Sequence, residues 1–156
     1  MTIKFAIITC SSTRSLSEDA AGAALKERIS ENGWVVLSHI VVPDDRESIG
    51  RAIIEAADNA ADIVLTCGGS GLSLADVTPE ATADVCNRNV PGIAEAMRAE
   101  SLKITGRAML SRALCMQRGS TLVINLPGSL KAATECFDAV YKQFEHAAQM
   151  TAGASH

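Results

Sequence analysis

Three glycines within four positions, Gly68, Gly69 and Gly71, are followed by a lone carboxylate at Asp76 in the segment TCGGSGLSLADVTPEA. Without Cβ atoms the backbone is free to take positive φ there and to turn its N–H groups toward one point, which makes a cradle for an anion such as phosphate. Asp76 repels phosphate but can hold a metal ion or a proton. A cradle beside a carboxylate points to metal-assisted phosphate chemistry. Neither GxxxxGK[ST] nor GxGxxG can be laid on the segment, so it belongs to neither of the common nucleotide-binding classes. The alternative for the same residues is a tight strand-to-helix connection. Cys67 adjoins the turn but reads as a small core residue, since no histidine in the sequence is placed to activate it.

More polar residues stand where strands should end. Asp44 and Asp45 follow Pro43 in VVPDDRE, and either one could start the next helix, whose N-terminus favours acidic side chains. Ser11, Ser12, Thr13, Arg14 and Ser15 follow the first apolar run, and Pro127, Gly128, Ser129 and Lys131 follow the last. Asp44 and Asp76, brought together from separate loops, would hold Mg²⁺ through their carboxylates, with phosphate oxygens and water completing the shell.

The elements that must position these residues alternate in type. Ile3 to Thr9, Trp34 to Val42, Ile63 to Leu65 and Thr121 to Leu126 read as strands, the first covered on both faces. Ala21, Ala24, Leu25 and Ile29 predict a helix closed by Gly33, and Ile49, Ala52, Ile53, Ala56, Ala57 and Ala60 predict a second. Thr78 and Pro79 mark a third helix start, with the threonine hydroxyl as cap. Pro91 opens a fourth, on which Glu95, Arg98 and Ser101 read as a solvated polar face. Arg118 and Gly119 make a hairpin, so the sheet is expected to be mixed. Ser129 caps a fifth helix, whose apolar side carries Ala133, Phe137, Val140 and Phe144. This pattern predicts an alternating α/β fold with a mostly parallel, mixed central sheet as a single domain over 1–146, followed by a flexible tail over 147–156. In such a fold ligands bind outside the carboxyl ends of the strands. The loops Cys10 to Ser15, Pro43 to Arg46, Cys67 to Thr78 and Pro127 to Lys131 all belong to that edge.

Composition narrows the field further. A net charge of −4 without a concentrated basic face argues against nucleic-acid binding, and no apolar run approaches the ~20 residues of a membrane span. The five widely spaced cysteines are odd in number and lack CxxC, which predicts reduced thiols and a cytoplasmic protein.

TCGGSGLSLADVTPEAT (66–82), PGIAEAMR (91–98), MLSRA (109–113) and INLPGSLKAATEC (124–136), in this order and spacing, closely resemble the molybdopterin-binding domain of the MoaB/Mog molybdenum-cofactor biosynthesis proteins, nearest to the adenylyltransferase group. The resemblance runs to about Phe144. It implies transfer of AMP from Mg-ATP to molybdopterin with release of pyrophosphate, or, as the alternative, a non-catalytic pterin carrier; a phosphohydrolase acting on a free nucleotide is a more distant third reading. It further implies a three-layer α/β/α fold and a homotrimer, or a hexamer built as a dimer of trimers, with other enzymes of the pathway as partners. By the same resemblance Gly68, Gly69, Ser70 and Gly71 would hold the nucleotide phosphates. Asp44 and Asp76 would be the catalytic and metal-binding acids. Ser111, Arg112, Pro127, Gly128, Ser129 and Lys131 would serve the pterin side. The chain departs from the family pattern at Ser12, where an acidic residue or asparagine is usual, at Ser70 in place of threonine, and at Leu74 in place of a frequent proline.

Overall fold

The computed structural model describes residues 2–153. A six-stranded sheet in the order β2-β1-β3-β6-β5-β4 lies at its centre. β1 (Lys4–Cys10), β2 (Val35–Val42), β3 (Ile63–Cys67) and β6 (Thr121–Leu126) run parallel, while β5 (Cys115–Arg118) and β4 (Arg88–Asn89) run antiparallel at one edge. The mixed sheet and the Arg118 to Thr121 hairpin therefore stand as expected.

Helices cover both faces. Alternate residues of β1 separate the two cores: Phe5 and Ile7 face one, Ala6 and Ile8 the other. The first core takes Leu25 and Ile29 of α1 (Ala20–Glu31), Met97 of α4 (Pro91–Leu102), Phe137 and Val140 of α5 (Leu130–Val140), and Phe144 and Ala148 of α6 (Phe144–Thr151). The second takes Ile49 and Ile53 of α2 (Arg46–Asp58) and Ala81 of α3 (Thr78–Val85). With so few aromatic residues the chain concentrates them: Phe5, Trp34, Phe137 and Phe144 meet at centroid distances of 5.5 to 6.1 Å in one cluster.

Two expectations need correction. The stretch from Ala147 onward was expected to be a flexible tail, but α6 continues to Thr151 and buries Ala148 against the first core. Small residues there give little periodic contrast in the sequence, yet Ala148 is buried in the first core. The rest of that segment, 154–156, lies outside the described residues. Thr78 does not cap α3: Val77 is the N-cap residue, and the Thr78 hydroxyl donates instead to the carbonyl of Gly68 at 2.9 Å. The hydroxyl secures the glycine turn.

β1 lies between β2 and β3, so the chain winds outward to β2 and then returns across β1 to β3. The gap between the carboxyl ends of β1 and β3 is the point where the winding reverses, and ligands bind beside such a point.

Candidate functional site

The glycine turn follows β3 and is held between the ends of its two neighbours. The Gly68 amide donates to Leu126 O of β6 at 2.9 Å, and a Cβ on Gly68 would come within 2.8 Å of Cys10 O at the end of β1. Gly128 passes so near on the other side that its own Cβ would lie 3.2 Å from Gly68 Cα. Gly68 and Gly69 take φ of 98° and 68°, in the left-handed region. At both positions side chains are excluded by crowding as well as by φ.

Four amides were expected in the cradle. The Gly68 amide is engaged by β6, and that of Gly71 donates to Asp76 Oδ2 at 3.1 Å. Those of Gly69 and Ser70 find no acceptor within the described residues. A phosphate oxygen would supply what these two lack.

The two acids flank this turn. Asp44 Oδ1 stands 3.5 Å from where a Cβ on Gly69 would lie, and Asp76 Oδ2 stands 3.0 Å from where one on Gly71 would lie. Their Oδ1 atoms accept no hydrogen bond from the described residues. The open question between Asp44 and Asp45 has a clear answer. Asp45 caps α2 by accepting from the Ser48 amide at 2.9 Å, whereas Asp44 points to the turn. Ser12 secures Asp44: its amide donates to Asp44 Oδ2 at 3.2 Å, and its hydroxyl accepts from the Asp44 amide at 3.0 Å. Ser12, one of the three positions noted as departures from the resembled pattern, is thus the residue that holds the acid.

A cavity of about 410 Å³ opens beside the turn and extends between α4, α5 and the 3₁₀ turn Gly106–Leu110. Gly68, Gly69, Ser70, Gly71 and Asp76 form its polar end, with Ser111, Pro127 and Gly128 beside them. Of the remaining residues expected on the pterin side, Ser129 caps α5 through the Ala132 amide, and Lys131 lies largely in solvent, 3.8 Å from Glu135. Arg112 stands behind the turn. Its Nε donates to Gly71 O at 2.7 Å, and its terminal nitrogens pair with Glu80 at 2.6 and 3.2 Å.

Some residues escaped the sequence reading. Arg98 and Ser101, assigned there to a solvated face, line the cavity, and Arg98 donates to Ala113 O at 2.9 Å. The available signal was their four-residue spacing from Ala94 and Met97 on α4. Asn125 is fully buried within β6, where its amide group donates to the Thr66 and Thr82 hydroxyls and its carbonyl accepts from the Leu114 amide. A single amide side chain inside TLVINL was its only mark. Asp19, which caps α1, accepts from Thr9 and lies 2.7 Å from His39 Nε2. Burial opposes the charge of Asp19, but the Thr9 hydroxyl, the His39 ring and the Gly22 amide together hold its pKa below the ordinary value.

The two thiols beside the turn, Cys10 and Cys67, are buried. Burial pushes Cys10 up to about 12 and Cys67 higher still, so neither forms a thiolate near neutrality. Cys67 is a core residue, as expected.

Comparison with known proteins agrees with this geometry. A family profile described as "Probable molybdopterin binding domain" matches residues 6–146. The chain is 36% identical to a molybdopterin adenylyltransferase of Helicobacter pylori over 157 aligned positions, spanning 97% of this chain and 89% of that protein. It is 37% identical to molybdenum cofactor biosynthesis protein B of Bacillus anthracis, over 81% of this chain and 77% of the other. The crystal structure of the MoaB from Thermus thermophilus superposes with a TM-score of 0.90 at 36% identity, covering 98% of each chain. The match spans nearly the whole length and includes the turn, both acids and the cavity, and by it the chain belongs to the molybdopterin-binding domain family of molybdenum-cofactor biosynthesis proteins.

Proposed function

We propose that the protein is a molybdopterin adenylyltransferase. It joins the terminal phosphate of molybdopterin to the α-phosphorus of Mg-ATP, with cleavage of the bond to the β-phosphate and release of pyrophosphate. The observation that carries this reading is the placement of Asp44 beside Gly69 and Asp76 beside Gly71 on one glycine turn, which together with Asp76 lines a cavity of about 410 Å³. A pterin carrier would need the cavity but not the pair of acids.

The residues present suit a magnesium ion. Two carboxylates, each with an uncommitted Oδ1, match an ion that takes one or two protein oxygens and fills its shell from phosphate and water. Bound there, magnesium would neutralise charge that develops on the phosphate oxygens. The chain supplies orientation. Gly69 and Ser70 amides receive phosphate oxygens. The apolar flank of the cavity, with Ala94, Met97, Ala108 and Leu110, accepts the flat pterin, while Ser111, Pro127 and Gly128 border its junction with the phosphates. Ser129 and Lys131 lie just outside, where Lys131 would attract incoming polyanions. Aligning two polyanions is the difficult part of this reaction, and good orientation is worth ~7–11 kcal/mol.

Self-association belongs to the same reading. β2 forms an edge of the sheet, and its Val35, Leu37 and Ile40 are 43%, 45% and 39% exposed. A long apolar edge of this kind is normally covered, which favours self-association, and the homotrimer or dimer of trimers is the form that the family resemblance implies. The substrates and the free state of all five cysteines suit the cytoplasm. No helix among the described residues is long and apolar enough to cross a membrane.

The test is direct. Purified protein with molybdopterin, ATP and Mg²⁺ yields pyrophosphate and adenylated pterin, and ATP alone yields neither. Binding of both substrates without turnover would instead make the protein a carrier.

A further inference from the structure

The segment between Gly71 and Asp76 has few attachments of its own. Leu72 and Leu74 are 61% and 99% exposed, and the internal bonds are limited to Asp76 N to Ser73 O, Ala75 N to Ser73 Oγ and Gly71 N to Asp76 Oδ2. Among the described residues, a single distant one supplies the rest. Arg112 donates through Nε to Gly71 O at 2.7 Å, through Nη2 to Asp76 O at 2.9 Å, and through its backbone amide to Ser70 O at 2.8 Å. Glu80, in the first turn of α3, holds the same guanidinium in a two-pronged pair at 2.6 and 3.2 Å.

These contacts converge on one carboxylate. The position of Asp76 Oδ2 depends on the Asp76 backbone and on the Gly71 amide from which it accepts. Arg112 fixes both of those residues through their carbonyl oxygens. Only a planar fork of donors can reach these acceptors together with a carboxylate; the ammonium of lysine is a point charge and cannot. We propose that Arg112, held by Glu80, is a positioning residue that sets the Asp76 carboxylate against the glycine turn, and that it is not a pterin contact. The proposal rests on the reading of Asp76 as an acid that works on the magnesium triphosphate. It assigns Glu80 a role in the site although Glu80 does not line the cavity.

Arg112→Lys keeps the charge and removes the fork, and Glu80→Gln weakens the hold on it. Arg112→Lys lowers kcat about 10- to 100-fold while KM for molybdopterin stays within about twofold, and Glu80→Gln lowers kcat by about threefold. In the nucleotide-free protein, hydrogen exchange at the Gly71 and Asp76 amides speeds up about tenfold in Arg112→Lys, with Tm nearly unchanged. The swapped pair, Glu80→Arg with Arg112→Glu, restores a salt bridge but offers no donor to the two carbonyls. It therefore keeps Tm near the wild-type value while kcat stays as low as in Arg112→Lys or lower. A raised molybdopterin KM with kcat intact, unchanged exchange at 71–76, or recovery of kcat in the swapped protein would each overturn the proposal. Asp76→Asn serves as the reference. If that variant retains full kcat, the reading of Asp76 fails, whereas the exchange measurement still decides whether Arg112 holds the segment.

Discussion

The two acids of the site sit on either side of one turn, but the chain secures them by different means. Asp76 closes a short loop upon its own turn, and that loop is gripped from behind by Arg112 and Glu80, with Thr78 bonded to the Gly68 and Gly69 carbonyls beneath it. Asp44 is reached from a separate, exposed loop, and its tether is the amide and hydroxyl of one serine. One acid belongs to a framework that packs against the sheet, and the other to a contact between two loops. The first is set when the domain folds. The second depends on Ser11 to Ser15 keeping its place over the edge of β2.

The sharpest way to break the framework side is at Gly69. With φ at 68° and Thr78 Oγ1 in the path of any Cβ, Gly69→Ala must move the turn, at a cost of about 2–4 kcal/mol in stability, and with it goes more than about 100-fold of the turnover. Chemical denaturation and pyrophosphate release measured on the same preparation check both figures. On the loop side the expected change is smaller. Ser12→Ala removes the hydroxyl but keeps the amide that also reaches Asp44, so kcat falls by about three- to tenfold and Tm barely moves. A loss in Ser12→Ala as large as that in Gly69→Ala would erase the distinction between the two regions.

How much of this could be read in the sequence depends on the range of the interaction. The parallel strands, the hairpin at Gly119, the Ser129 cap and the glycine turn were legible, because each follows from a local pattern or a local backbone requirement. The convergence of Asp44 and Asp76 was legible through topology, since parallel strands carry their following loops to one edge. What stayed hidden was set by contacts distant in sequence. Arg112 grips residues more than thirty positions away, and its role as a clamp leaves no trace in MLSRA. Asn125 shows only as a polar interruption, and the helix through Thr151 is built from alanines with weak contrast. Thr78 looked like a cap because a threonine before a proline usually is one, but its hydroxyl donates to the Gly68 carbonyl instead.

The first loop offers a finer prediction, from pH. Asp19 anchors its far end and holds a pKa below the ordinary aspartate value, so its ionised form is favoured by folding. That contribution is fully present above the unfolded pKa of about 3.9 and is lost as the pH falls through the folded value. Thermal melts of the wild type should lose stability below about pH 4 more steeply than those of Asp19→Asn, which lacks the titrating group. Parallel curves for the two proteins would show that Asp19 does not anchor the loop.

The central claim is that Asp44 and Asp76 act on one magnesium triphosphate, and a double-mutant cycle on pyrophosphate release tests it most directly. Asp76→Asn and Asp44→Asn should each lower kcat by about 10²- to 10³-fold. If they share one ion, the doubly substituted protein is no slower than the worse single variant by more than a few-fold. Losses that multiply, so that the double variant falls by the product of the two, would mean that the acids work independently and would contradict the account.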